Sequence, residues 1–413
     1  MADKNLSTHR DASHLRQLLT QKNFGFYFAA TSISTLGSSV AQLGLSLALL
    51  VAGYKSSIVG IVLASQTVPL LVFTLAGGVL GDRLARGRLM VASDLLRFFS
   101  QGILAVFLAA GHPPVGVLIL LGACIGIGNA FYRPAARGIV PQIVVRDQLK
   151  TANTLTSMSG SLTTILGPAI GGILVGFGGG VFAITADSLS YLASAALLTF
   201  VRFPAGTAPE KTSFLRELQL GAVEFRGHRW LPSVTGQIAV VNAISLGMLF
   251  VIGPSLFAHL KNGPQHWGFV TSFIGVGAFL GGLIVMRFAF GRPLLMIQLC
   301  IAIMAAPLIL LALHASLLPL MLSSGVLGVG MAIANTLFQT TLQNSIPIEL
   351  LSRVSSIVQL VAMGLIPIGY SLSGPAAAFF GAQRSLGFGA CFVLLTVVGM
   401  LLAPEIRTFR QPE

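Results

Sequence analysis

Apolar runs close to the roughly 20 residues needed to cross hydrocarbon follow one another from residue 25 to residue 403 with little between them. With 54% hydrophobic and only 9% charged residues, the chain cannot clothe a soluble globule in polar side chains, so a bilayer must solvate its surface. The runs are too long and too uniformly apolar for the alternating strands of a barrel, which leaves helices. Spans are predicted at roughly 25–52, 57–80, 89–110, 115–133, 152–176, 181–202, 232–259, 267–288, 294–313, 317–343, 354–380 and 386–403. The expected fold is therefore an all-α membrane protein of twelve transmembrane helices in two pseudo-symmetric six-helix bundles.

A repeat supports the division into two. The stretch Gly77-Gly78-Val79-Leu80-Gly81-Asp82-Arg83-Leu84-Ala85-Arg86-Gly87-Arg88 returns 204 positions later as Gly281-Gly282-Leu283-Ile284-Val285-Met286-Arg287-Phe288-Ala289-Phe290-Gly291-Arg292. In both copies an apolar run ends in paired glycines and passes through a short basic turn into the next run. Duplicated helical membrane transporters are built this way. The predicted units are a tail at 1–24, a bundle at 25–203, a linker at 204–231, a second bundle at 232–403 and a tail at 404–413.

Charge sets the expected orientation, because Lys and Arg near span ends resist translocation. Of 25 basic residues, only Lys55, Lys261 and Arg384 fall in connections that follow odd-numbered spans. Both ends are thus expected in the cytoplasm of a bacterial inner membrane protein, the polar head being a retained tail. The net charge of +13 is explained by these loops, not by nucleic-acid binding. Within the linker, Leu215, Leu218, Leu220, Val223 and Phe225 are spaced as one face of an amphipathic helix.

Enzymatic chemistry has no support. Cys124, Cys300 and Cys391 lie in apolar runs without metal or redox spacing, and no phosphate loop, metal constellation or nucleophile triad is present. No cofactor or metal is expected.

The loop between spans two and three matches Gly-x-x-x-Asp-Arg-x-Gly-Arg-Arg at Gly78, Asp82, Arg83, Arg86 and Arg88, departing at Ala85 and Gly87. Span five carries Gly167-Pro168-Ala169-Ile170-Gly171-Gly172, and the stretches Phe131-Tyr132-Arg133-Pro134-Ala135 to Pro141, Ala152-Asn153 and Pro347 to Arg353 match further. On these residues the chain resembles, over essentially its whole length, the major facilitator superfamily, and within it the bacterial drug and siderophore exporters of the enterobactin-exporter and macrolide-efflux type. The resemblance implies that Asp82 docks on the start of span eleven, near Ser352 to Ser356, as a conformational latch assisted by Arg83, Arg86, Arg88 and Arg97. It also implies a helix-packing motif at Gly167, Pro168, Gly171 and Gly172. Small residues of span eight, Gly275, Gly277, Gly281 and Gly282, offer a matching surface, so spans five and eight are expected to meet in a seam that closes the outer side.

Coupling to protons needs a titratable group within the membrane, and the 12 acidic residues reduce to Asp94 and Asp187 once tails, loops and linker are set aside. Arg97 shares a helix face with Asp94. Asp187 has no cation at i+3 or i+4 and is the better proton-coupling candidate. Where many proton-coupled exporters carry an acid in span one, this chain has Ser38, Ser39 and Gln42. For a mostly apolar substrate chamber, the spans that line it in this superfamily offer Gln42, Gln66, Asn129, Asn242, Asn335, Phe338, Gln339 and Gln359.

The expected function is a secondary active transporter that exports a small amphipathic compound by proton antiport through alternating access, working as a monomer in contact with the lipid bilayer. The same fold also suits a siderophore exporter or a lysophospholipid transporter. A transport-inactive scaffold or sensor would call for an added soluble domain or a damaged loop motif, and neither is seen.

Overall fold

The computed structural model describes residue 18 and residues 21–83, 86–203, 214–288 and 290–409; the side chains of 74–83, 146, 150 and 214–218 lie outside the description. Eleven helices in the described residues are long and apolar enough to cross a membrane. One of them, Leu149–Thr199, has 51 residues, which at 1.5 Å per residue is about two and a half times the thickness of the hydrocarbon core. It breaks at Gly179, where φ is 75° and ψ 172°, a conformation confined in practice to glycine. Its limbs, 149–178 and 180–199, are two spans.

The first six spans are thus α1 (Lys22–Val51), α2 (Ser56–Arg83), α3 (Arg86–Ala110), α4 (Val115–Ile143) and the two limbs, α5 and α6. A short helix, α7 (Phe214–Gly227), precedes the second six: α8 (Trp230–Phe257), α9 (Gly263–Arg287), α10 (Pro293–Ala312), α11 (Leu317–Ser345), α12 (Ile348–Phe380) and α13 (Ala382–Leu402). The predicted spans agree with these to within a few residues except at α4. That helix runs ten residues beyond its expected end, through Pro134 and Pro141. Two side chains from other helices hold this extension: Tyr27 Oη donates to the Ala136 carbonyl at 2.9 Å and Arg86 Nη1 to that of Gly138 at 2.5 Å.

Within the first set, α1 packs along the α5–α6 helix, α2 on α4, and α3 between α4 and α6; in the second, α9 and α10 pack on α11, and α8 and α10 on α13. The two sets meet where α5 lies on α9 and α2 on the 366–380 part of α12. We call the end holding Lys22 and Thr408 the terminal end. The tight contacts between sets lie toward the other, far end. A Cβ added to Gly172 would stand 2.8 Å from the Pro264 carbonyl and 3.0 Å from the Cα of Gly268, so only bare backbone fits there. Toward the terminal end the same helices part, and a Cβ on Gly160 or Gly282 would meet nothing within 4 Å.

The α7 helix rests on the 348–364 part of α12 by a face that holds only part of the expected set. Gly221 abuts Arg353 and Ile357, and Phe225, one turn on, is buried, whereas Leu220 and Val223 are exposed. Positions 221 and 225 share a helix face, which turns 220 and 223 to its flanks. Leu215 and Leu218 lie outside the described side chains.

Candidate functional site

Two polar stripes face each other inside the first six-span set. On α3, Asp94, Arg97 and Gln101 recur at i, i+3 and i+7, which is one side of a helix; on α6, Asp187, Ser190, Tyr191 and Ser194 do the same. All but Ser190 are buried, Asp94 fully. The packing of α3 on α6 brings the stripes into register.

Arg97 is held on every side but one. It forms an ion pair with Asp94, Nη1 donates to Asn129 Oδ1 at 3.1 Å, and its guanidinium lies 4.2 Å from the ring centres of both Tyr132 and Tyr191. Its Nε–H has no partner. The second oxygen of Asp94 accepts from Ser194 Oγ at 2.7 Å. Burying a charge demands this kind of satisfaction, because an unpaired ion in low dielectric is expensive.

Asp187 is 2% exposed and is met by neutral donors instead: Gln101 Nε2 at 3.0 Å from Oδ2 and Ser190 Oγ at 3.3 Å from Oδ1. From α1, Gly37 backs directly onto this carboxyl and Ser190; an added Cβ there would come 2.8 Å from Asp187 Oδ1. One turn of α6 further on, Tyr191 Oη and Ser38 Oγ are 2.9 Å apart.

These groups form a wall of a cavity of about 490 Å³, within the range of small-molecule sites. The first set supplies its polar side, including Ser38, Gln42, Gln66, Gln101, Asn129 and Arg133, and α12 supplies Met363, Ile366 and Tyr370. A second cavity of about 200 Å³ shares Ser39 and Gln42 and reaches Trp267 and Thr271 of α9.

A helical fold of paired six-span sets, enclosing a ligand-sized cavity between them, is the architecture of a secondary transporter. The family model described as transmembrane secretion effector, of the major facilitator superfamily, matches residues 15–411. The chain belongs to this family.

This transmembrane secretion effector is similar to the multidrug efflux pump Tap of Mycolicibacterium fortuitum, 28% identical over 363 residues that make up 84% of this chain and 87% of the relative. It is also similar to macrolide efflux protein A of Streptococcus pyogenes, 22% identical over 92% and 95% of the two chains. The nucleoside transporter NupG shares the fold, with a TM-score of 0.73 at 11% identity over 95% of this chain and all of the other.

The transporter's geometry redistributes the residues singled out in the sequence. Of the eight chamber residues, Gln42, Gln66 and Asn129 line the cavity. Asn242 does not; its Nδ2 donates to the Ala362 carbonyl at 3.2 Å, joining α8 to α12. Phe338 is buried with its ring 6.0 Å from that of Trp230. Asn335, Gln339 and Gln359 are exposed and outside both cavities. In the larger cavity the second set contributes only residues of α12, and the polar lining comes mainly from the first set.

Arg97 is also corrected. It stands eleven residues into α3 among Asn129, Tyr132 and Tyr191, remote in sequence and environment from the loop motif with which it was grouped. In that motif Arg88 is exposed and Arg86 bonds α4, while Gly78, Asp82 and Arg83 fall outside the described side chains. The glycine seam is real but shifted. Gly167 and Gly171 face Ser39 and Val40 of α1, and Gly277 and Gly281 face Gly325 and Val329 of α11. The contact between α5 and α9 is made by Gly172 against Gly268 and by Gly275 against Ile165.

Sequence reasoning passed over Gln101 and Gly37, and named Tyr132 only within a motif and Tyr191 only as a hydrogen-bond partner for Asp187. The i, i+3, i+7 spacing of polar residues on span three was the signal available for Gln101; Gly37 had none of its own.

Proposed function

We propose that the protein exports small amphipathic organic compounds from the bacterial cytoplasm by proton antiport, alternating access between the two membrane faces as a monomer. The observation that carries this reading is the placement of Asp187 in the wall of the cavity, bound only by neutral donors. A carboxyl in the cavity wall whose hydrogen bonds come from neutral groups can exchange a proton as water and cargo enter the cavity. With the termini taken as cytoplasmic, the arrangement described above is inward-facing, with the far end shut by the contacts at Gly172 and between α2 and α12. One proton crossing the membrane carries about 2.3 kcal/mol per 100 mV, enough to drive uphill export without ATP.

Reconstitution into vesicles tests it. An imposed pH gradient, a panel of fluorescent amphiphiles outside and a pH dye inside are expected to show dye-reported proton movement opposite in direction to the amphiphile. Amphiphile movement indifferent to the gradient would sink the antiport reading.

A further inference from the structure

The cavity holds one more ion whose partner is missing. Arg133 lies on α4, one helical turn beyond Asn129 toward the terminal end, lines the cavity and is exposed. Among the described residues it makes no ion pair and no hydrogen bond, unlike Arg97 with Asp94 and Arg229 with Glu405. Arg137, one turn further on, is exposed too and adds positive charge at the mouth.

The other charges of the cavity are spent or covered. Arg97 is neutralised by Asp94, stacked between two tyrosines and 3% exposed. Asp187 is 2% exposed behind Gln101 and Ser190. What the cavity offers a solute is therefore one unpaired guanidinium, amides and hydroxyls elsewhere in its lining at Gln66 and Thr67, and the apolar side chains of Met363 and Ile366 from α12.

We propose that Arg133 is the recognition site for an acidic group, a carboxylate, on the transported compound, so that the preferred cargo is an anionic amphiphile. This deepens the export reading and rests on it for the word cargo, but the binding site is claimed independently. A guanidinium presents parallel N–H donors that fit a carboxylate fork, and a charge-assisted bidentate pair in a partly dry cavity is stronger than any neutral contact there. The carboxylate also supplies the counter-charge that a cation lacks when water leaves the cavity around it. An amphipathic anion places its head at Arg133 and its tail against α12. A cationic amphiphile meets Arg133 and Arg137 first and is repelled.

The test uses the full-length protein in lipid nanodiscs and a matched pair of probes, 11-(dansylamino)undecanoic acid and its primary carboxamide, read by dansyl fluorescence. The acid is expected to bind about tenfold or more tightly than the amide. Arg133→Gln should bring the two affinities within about threefold, and Arg133→Lys should retain part of the preference. Arg133 faces the open cavity, so both variants are expected to elute and melt as the parent does. Equal binding of acid and amide by the parent, no binding of the acid, or a preference that survives Arg133→Gln overturns the proposal. Vesicle transport separates it from the export reading: acid preference without gradient-driven movement leaves the site and removes antiport, whereas gradient-driven movement of neutral probes without acid preference does the reverse.

Discussion

Gln298 on α10 lies 204 residues after Asp94 on α3, the offset that relates the two copies of the loop motif, and it meets an amide where Asp94 meets a guanidinium. Gln298 and Gln237 exchange hydrogen bonds in both directions, at 2.8 and 2.9 Å. The counterpart of Arg97 in the second copy is Ile301, buried in the core. One copy of the repeat thus fills this level with a buried ion pair and the other with a neutral pair that satisfies its polar groups at no charge-desolvation penalty. Stability alone does not favour the ionic solution. Its retention beside the cavity, in the copy that also carries Asp187, points to a role in the transport cycle.

The copies therefore predict each other's substitutions. Asp94→Ala leaves Arg97 buried without its anion and should cost about 3–5 kcal/mol, seen as lost expression and a lower melting temperature in detergent. The double variant Asp94→Gln with Arg97→Ile, which removes both charges and leaves Ser194 Oγ to pair the new amide, should recover part of that stability while remaining inactive. A double variant as unstable as the single one would show that the ion pair is needed for folding.

Asp187→Asn keeps an oxygen for Gln101 Nε2 and nearly the same volume, so the protein should fold, insert and bind amphiphiles about as the parent does. Gradient-driven transport is expected to fall at least about tenfold, since the variant has no proton to exchange at this place. Simultaneous recording of amphiphile and internal pH decides the matter. Transport by the variant that remains fully dependent on the gradient would remove Asp187 from coupling.

The break at Gly179 sets where α5 ends and α6 begins, and so fixes the height of Asp187. Gly179→Ala forces a Cβ into a backbone region that other residues scarcely occupy, at a cost of about 1–3 kcal/mol, although no neighbouring atom stands in the way. Gly178→Ala differs in cause: its Cβ would come 2.8 Å from the Cβ and Cγ of Phe182, and because that Cβ is fixed by the backbone the helix itself must shift. Both variants are expected to melt below the parent, Gly178→Ala through a clash and Gly179→Ala through backbone strain.

The long apolar helices, the repeated string and two acids within apolar runs were readable because each is a one-dimensional signal: run length, a repeat, or a charge where charge is costly. Contacts between helices were not. Gly277 and Gly281 were expected on α5 because they are small and lie on span eight, yet they face α11, since spacing along a helix gives a face but not the neighbour it meets. Asn335 and Gln339 are exposed and outside the two cavities, because a polar residue on a span does not reveal in sequence at which depth or face it lies. Arg97 was paired with the right residue and placed in the wrong network, because Asp94 at i−3 is visible in sequence whereas Tyr132 and Tyr191 come from other helices.

Gly172 offers the sharpest test of alternating access. Its Cα is packed against Gly268 and the Pro264 carbonyl, backbone that cannot rotate away, so Gly172→Leu should prevent the far end from closing without affecting insertion. Gly282→Leu is its complement: nothing lies within 4 Å in the arrangement described, and its side chain obstructs only a state in which the terminal ends of α5 and α9 approach. Spin labels at the far ends of these helices should then report a longer distance in Gly172→Leu and an unchanged or more uniform one in Gly282→Leu, with transport lost in both. Gly171→Leu strikes the Val40 backbone of α1 within its own bundle, and its distances between the two sets should stay close to the parent's. If Gly172→Leu leaves the far-end distance unaltered, the contact with Gly268 is ordinary helix packing and the gate lies elsewhere.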